Sequence, residues 1–473
     1  MRISANFSIL LLSGLFSFAT AQATINADTL HLSSFGEDFK WGTACAAYQI
    51  EGAWNSDGKG VSIWDEFTHT KGNIHANENG DVAVDFYHRY KEDIRLHKEM
   101  NFDVFRFSIS WTRIFPDGVG QINPAGVQFY HGVIDECIAQ GVEPWITLYH
   151  WDLPQNLQEQ GGWTNREIID WFSAYTQFCA NEYGDKVKNW MVMNEPAGFV
   201  GLGYMMGYHA PGEKGISNFL KATHYTCLAM AESGRILRST VNNANIGSTF
   251  SCSPVESYKG KSKNSRAVAK LDALLNRLFI EPSLGLGYPY DGFSALRKIE
   301  KHMEEGDAEK LKFEFDFIGV QNYFRVVAKR HLWPPVLWAK QIDSKKRSVP
   351  VNEMGFEIYP EGIYQILKQL GEYEGVREII VTENGVCVKD SLENGRVHDQ
   401  SRIDFFKAYL SNVLRAKNEG VPVNGYFVWS LTDNFEWSEG FEPRFGLVYV
   451  DYETLERAVK DSGFWFAKEL APR

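Results

Sequence analysis

Two carboxylates stand where apolar runs end. Glu195 closes Trp190-Met191-Val192-Met193-Asn194-Glu195-Pro196, and Glu383 closes Ile379-Ile380-Val381-Thr382-Glu383-Asn384-Gly385. A charge that follows a buried strand is costly unless it faces a cleft or a partner. Two such groups opening into one bowl would suit cleavage of a glycosidic bond. One acid would protonate the leaving oxygen, and one base or nucleophile would act at the anomeric carbon. A single glutamate so placed would ordinarily cap the helix after its strand. Two, each beside an asparagine (Asn194, Asn384), fit that bland account poorly.

Something must bring both to one place. From about residue 39 onward, short β-prone segments alternate with longer helix-compatible ones, with no linker or change of composition between them. The expected strands are Phe39-Thr43, Val104-Ser110, Glu143-His150, Val187-Asn194, Asn245-Cys252, Phe315-Asn322, Glu378-Glu383 and Gly425-Ser430. Most are near-continuous apolar runs, as parallel strands buried on both faces require. Helical periodicity fills the intervals, for example at Tyr87 to Met100, Ile168 to Tyr183 and Arg402 to Lys417. Strand then helix, eight times over, predicts an α/β fold: a single (β/α)₈ TIM barrel with extended βα loops, over residues 24–473. The polar residues at the strand ends, Gln49, Glu51, Arg106, Ser108, His150, Asn194, Glu195, Gln321, Tyr323, Glu383, Asn384 and Trp429, are then expected at one mouth.

The mature chain resembles family 1 of the glycoside hydrolases. The likeness is carried in order by Phe39-Lys40-Trp41-Gly42, Ala47-Tyr48-Gln49-Ile50-Glu51-Gly52, Arg106-Phe107-Ser108-Ile109-Ser110-Trp111, His150-Trp151 and Asn194-Glu195-Pro196. It continues in Thr382-Glu383-Asn384-Gly385, Trp429-Ser430-Leu431-Thr432-Asp433-Asn434-Phe435-Glu436-Trp437 and Arg444-Phe445-Gly446-Leu447. The resemblance implies a retaining β-glycosidase acting on terminal β-D-glucosyl residues, with β-galactosyl and β-fucosyl as further glycones. Glu195 would be acid/base and Glu383 nucleophile, with Arg106, Asn194 and Tyr323 completing the catalytic group. Gln49, His150, Trp151, Asn194, Trp429, Glu436, Trp437 and Phe445 would hold the sugar. Two other readings keep the same barrel: a glycosyl-transferring relative, and a catalytically silent sugar binder. The second normally lacks one of the glutamates.

Four features depart from the family pattern or add to it. Gln321 stands where an asparagine is usual, which would shift the surroundings of the acid/base. Phe356 replaces the tryptophan common on the aglycone side. Trp333 and Trp338 could line that side instead, or simply pack on the surface. Glu436 and Trp437, beside the sugar's C6 hydroxyl, would repel a 6-phosphate.

Composition closes off other classes. The chain has 473 residues, 44% hydrophobic and 23% charged, with a formal net charge of −12, which excludes disorder and makes nucleic acid an unsuitable partner. The basic run Lys259, Lys261, Lys263, Arg266 and Lys270 reads as a solvated loop. No Gly-rich phosphate loop and no metal-ligand spacing is present, so neither cofactor nor metal is implied. The expected ligand is a small-molecule β-glycoside; no obligate protein partner is implied. Met1-Arg2, the apolar run Ile9 to Ala19 and Ala21-Gln22-Ala23 form a signal peptide over residues 1–23, making the mature chain secreted or periplasmic. That run is too short to span a bilayer, and no later stretch is longer. Cys45, Cys137, Cys179, Cys227, Cys252 and Cys387 read mainly as buried thiols, with one disulfide left open.

Overall fold

The computed structural model describes residues 30–334 and 336–471. The expected leader lies outside them. The eight expected strands are all present, as β1 Lys40–Ala44, β2 Val104–Ser108, β3 Glu143–Tyr149, β4 Asn189–Asn194, β5 Asn245–Ser251, β6 Phe317–Gln321, β7 Ile379–Asn384 and β8 Val423–Trp429. They form one closed barrel in which each strand lies parallel to its sequence neighbours and β8 closes on β1. Each is buried along nearly its whole length, which is why the runs are apolar throughout instead of alternating.

The barrel interior is filled by side chains from distant strands. Trp145 of β3 packs against Phe317 of β6 and Phe427 of β8, with ring centroids 5.3 and 5.2 Å apart. Room for Phe317 comes from Gly247 on β5, where a Cβ would stand 2.4 Å from the ring. Outside, the helix Ile168–Tyr183 has the bounds its periodicity predicts. Its buried residues Phe172, Tyr175, Thr176, Cys179, Ala180 and Tyr183 repeat every three or four positions. That stripe meets the long helix Ile216–Thr240, with Thr176 Oγ1 donating to Ser233 Oγ at 3.0 Å.

Five short strands fall outside the eight expected. Val448–Val450 pairs antiparallel with Arg457–Val459, and Val255–Ser257, Val326–Arg330 and Ala339–Gln341 make a small three-stranded sheet. All six cysteines are buried and free, so the disulfide left open by the sequence does not form.

Glu51 is a correction. It does not reach the mouth. Arg113 Nε donates to Glu51 Oε2 at 2.5 Å, Tyr130 OH donates to Glu51 Oε1 at 2.6 Å, and all three side chains are buried. The pair braces the chain after β1 against the chain after β2. Glu51→Ala leaves a buried guanidinium without its counter-charge, and we expect a loss of about 3–5 kcal/mol in chemical denaturation. A loss below about 1 kcal/mol would show that water replaces the carboxylate at this position.

Candidate active site

At the C-terminal ends of the strands the ladders lose their regular register. β4 and β5 slip between Met191 and Asn194, and β7 slips against both neighbours beyond Val381. Such irregularities turn side chains away from the ladder, and here they occur where the two carboxylates emerge. Glu195 itself is left-handed, with φ 45° and ψ 65°. Trp151 (φ 82°) and Trp437 (φ 51°) share that unusual region. Three non-glycine residues in sparsely populated backbone at one mouth are the strain expected of a site that the surrounding structure over-determines. Gly198, one turn after Glu195, leaves space for both: a Cβ there would sit 3.1 Å from Trp151 Cζ2 and 3.4 Å from Glu195 Oε2.

The mouth encloses a cavity of about 470 Å³. His150, Trp151, Asn194, Glu195, Tyr323, Glu383, Trp429, Glu436, Trp437 and Phe445 line it, as expected from the sequence. Arg106 and Gln49 stand behind the wall. Arg106 is fully buried on β2 and spends every nitrogen: Nη1 donates to Glu383 Oε1 (2.5 Å) and Thr382 O (3.2 Å), Nη2 to Asn194 Oδ1 (2.5 Å), and Nε to Thr147 Oγ1 (3.1 Å). Tyr323 OH donates to the other Glu383 oxygen at 2.9 Å. Both oxygens of Glu383 are therefore held, one by a cation.

Asn194 is turned inward more than expected. Its Oδ1 accepts from Arg106, from Thr249 Oγ1 (2.9 Å) and from Gln321 Nε2 (2.6 Å), leaving only Nδ2 for other work. That Nδ2 donates to His150 Nε2 at 2.8 Å. The bond leaves the His150 proton on Nδ1, which has no partner among the described residues. Gln321 thus acts on Asn194; no contact with Glu195 replaces the usual asparagine. On the opposite wall, Gln49 Nε2 donates to Phe435 O (2.8 Å), Asn434 Oδ1 (3.2 Å) and Glu436 Oε2 (3.4 Å), while its Oε1 is unpaired. A buried donor and a buried acceptor without partners, His150 Nδ1 and Gln49 Oε1, suit a hydroxyl-rich guest.

Burial raises all three carboxyls, and their neighbours separate them. Glu195 forms no ion pair among the described residues and is pushed up to about 8 by burial and then by the charge on Glu383. Glu383 is also raised by burial, but Arg106 and Tyr323 pull it back. The proton shared by this pair therefore belongs on Glu195, leaving Glu383 as the anion. Glu436 too is raised to about 8, by burial and then by Glu383, against opposing bonds from Trp429 and Gln49. That shift weakens the repulsion of a 6-phosphate expected of it. Burial and Arg106 keep His150 well below its usual range, so it is neutral.

The apolar side was only partly legible. Phe356 lines the cavity as its position suggests, but Phe324, Met354 and Leu202 join it. Phe324 and Phe356 pack with their rings tilted by 42° and their centroids 4.8 Å apart. Met354 and Leu202 carry no motif and were out of reach of sequence reasoning; Phe324 was legible only as the neighbour of Tyr323. His209 and Ser251 also line the wall. Trp333 and Trp338 do not: they are 70% and 56% exposed on a surface loop. Among the described residues no cluster of His, Cys, Asp and Glu is arranged to hold a metal ion.

The geometry has its counterpart in known proteins. The family model for Glycosyl hydrolase family 1 matches residues 31–472. β-Glucosidase A of Thermotoga maritima is 43% identical over 93% of this chain and 98% of its own. The structure of a Thermotoga maritima β-glucosidase in complex with glucoimidazole superposes with a TM-score of 0.88 at 42% identity, covering 93% of this chain and 99% of that one. A 6-phospho-β-galactosidase of Clostridium acetobutylicum is 36% identical over 92% of this chain and 97% of its own. With two carboxylates and their guanidinium at the mouth of a closed eight-stranded barrel, and with that likeness running from end to end, the chain belongs to glycosyl hydrolase family 1.

Proposed function

We propose that this protein is an exported, retaining β-glucosidase working by double displacement, with β-galactosyl and β-fucosyl residues as secondary glycones. The observation that carries the reading is the unequal support of the two carboxyls. Glu383, gripped by Arg106 and Tyr323, is suited to attack the anomeric carbon. Glu195, held protonated beside it, is suited to give its proton to the leaving oxygen. Once the sugar is esterified to Glu383, the charge that adds to burial in raising Glu195 disappears. Glu195 can then take a proton from water, whose oxygen attacks the same carbon and releases sugar with net retention. Export rests on the leader over residues 1–23.

The choice of an unphosphorylated sugar needs an argument of its own, since both kinds of relative occur in the family. Repulsion by a charged Glu436 is weakened by its raised pKa. The stronger reason is that no Lys or Arg is among the residues lining the cavity. A phosphate dianion would enter without a counter-charge. We expect the plain β-glucoside to exceed its 6-phosphate in kcat/KM by more than about tenfold. The reverse preference would overturn this assignment.

Proton NMR of p-nitrophenyl β-glucoside hydrolysis should show β-glucose before any α-anomer. α-Glucose first would mean inversion, and with it a different role for Glu383. Glu383→Gln should lower kcat by roughly 10⁴-fold or more, as loss of a nucleophile does. Glu195→Ala should cost about 10² to 10⁴-fold on poor leaving groups and much less on good ones; equal losses would remove Glu195 from the acid role.

The pH profile carries the sign of each shift. Activity should fall above about pH 8 as Glu195 loses its proton, and fall in acid as Glu383 gains one. Tyr323→Phe deletes a hydrogen bond that favours the anion, so the acidic limb should move to higher pH. An acidic limb that stays in place would show that the phenol does not set the charge state of Glu383.

A further inference from the structure

The small sheet beside the mouth has a character unlike the rest of the molecule. The segments 255–272 and 326–347, which build it with the helix Ser265–Asp272, hold eleven Lys and Arg against three Asp and Glu, in a chain of net charge −12. Lys259, Lys261, Lys263, Arg266, Arg330, Lys340, Lys345 and Lys346 are exposed. Two of the three acids are turned to internal partners: Glu256 accepts from Arg325 and Tyr359, and Asp272 from Asn276 and Gln369. The third, Asp343, caps its own turn by accepting from Lys345 N.

The tip of this unit is apolar. Leu332, Trp333, Val336 and Trp338 are 82, 70, 42 and 56% exposed, whereas exposed large apolar side chains elsewhere among the described residues occur singly or in pairs. The tip is held in shape. His331 Nδ1 meets the backbone of Trp333, and Lys270 Nζ donates to Val336 O and Leu337 O at 2.9 Å while lying over the Trp338 ring. Beneath it Ala267, Ala328 and Ala339 make a small core separate from the barrel's. An exposed apolar tip on a basic unit is costly in water unless something covers it.

We propose that this face docks the enzyme onto an anionic lipid surface, with Leu332 and Trp333 entering the headgroup region and the surrounding lysines and arginines facing the phosphates. Aliphatic side chains at the very tip distinguish this occupant from an acidic polysaccharide. A polysaccharide would stack on aromatic faces and has no use for Leu332 or Val336. The basic ring supplies the attraction that a single apolar insertion lacks. Association is peripheral, since no helix among the described residues is long and apolar enough to cross a membrane. The docking face is joined to the apolar side of the mouth. Ile342 N donates to Val327 O, Ser344 Oγ donates to Gly355 O, and the adjoining Phe324 and Phe356 line the cavity.

Sedimentation of the mature full-length protein with sucrose-loaded vesicles tests this without reference to activity. Binding is expected to phosphatidylcholine vesicles that contain phosphatidylglycerol, to be lost on pure phosphatidylcholine, and to weaken steeply between 0.1 and 1 M salt as the screening length falls from roughly 10 to 3 Å. Leu332→Ser with Trp333→Ser, and separately Lys261→Glu with Lys263→Glu and Arg266→Glu, should each weaken it by more than roughly tenfold. Both variants should hydrolyse a soluble aryl glucoside at the parent rate, which shows that they fold. No sedimentation with the anionic vesicles overturns the proposal, as does equal binding by both variants. Charge-sensitive binding to soluble polygalacturonate without vesicle binding assigns the face to acidic polysaccharide instead.

Discussion

The buried guanidinium of Arg106 is the constraint around which the mouth is built. A fixed cation with no exposure must be neutralised and must have its donors satisfied, or the fold bears a penalty of several kcal/mol. Arg106 meets the demand by reaching four strands' worth of chain: its own β2, Thr147 on β3, Asn194 on β4, and Thr382 and Glu383 on β7. The ion pair that makes Glu383 an anion is thus also a tie across the barrel. The bond to Asn194 extends the tie through His150, Thr249 and Gln321.

A second buried network holds the opposite wall. Arg402 pairs with Asp390 and Asp399, Lys460 with Asp390 and Asp433, and Arg444 with Asp433. Three acids and three bases balance, so the cluster can be buried without shifting net charge into the core. Its members span the loop after β7, the helix Gln400–Asn418, the loop after β8 and the chain before the C-terminal helix Asp461–Glu469. Asp433 lies three residues before Glu436, and Gly446 N also donates to it at 3.0 Å, so the segment bearing Glu436, Trp437 and Phe445 is anchored from beneath. Left-handed backbone at Trp437 can persist because both ends of its loop are fixed in this way.

What was legible in the sequence follows from this division of labour. Buried parallel strands must be apolar along their length, so all eight were visible, with errors of only a few residues at their ends such as Phe315-Asn322 for Phe317–Gln321. Residues whose chemistry is rare in a core, above all Glu195, Glu383 and Arg106, were visible for the same reason. Glu51 misled because it shares their signature, a carboxylate beyond a buried strand, yet its partner Arg113 stands 62 residues on, in the short helix Trp111–Ile114 that no periodicity reveals. Trp333 and Trp338 misled in the opposite direction: aromaticity suggested a platform, but their loop belongs to a separate small sheet whose strands are only three to five residues long. Asn194 was placed correctly and misread in part, because three donors converging on one oxygen is a tertiary fact.

Charge was the property least available to residue-by-residue reading. Glu195, Glu383 and Glu436 each look like an anion in isolation, and together they line a cavity of about 470 Å³ with one guanidinium behind its wall. A single cation cannot keep three neighbouring carboxyls ionised in a desolvated bowl. The group in direct contact with Arg106 takes the charge, and the other two hold protons more tightly because they are buried and because it has done so. In the proposed double displacement, burial favours the proton on Glu195 and the charge on Glu383 reinforces it. Esterification of Glu383 would remove the second effect while the first stays, so the shift from acid to base follows the covalent bond.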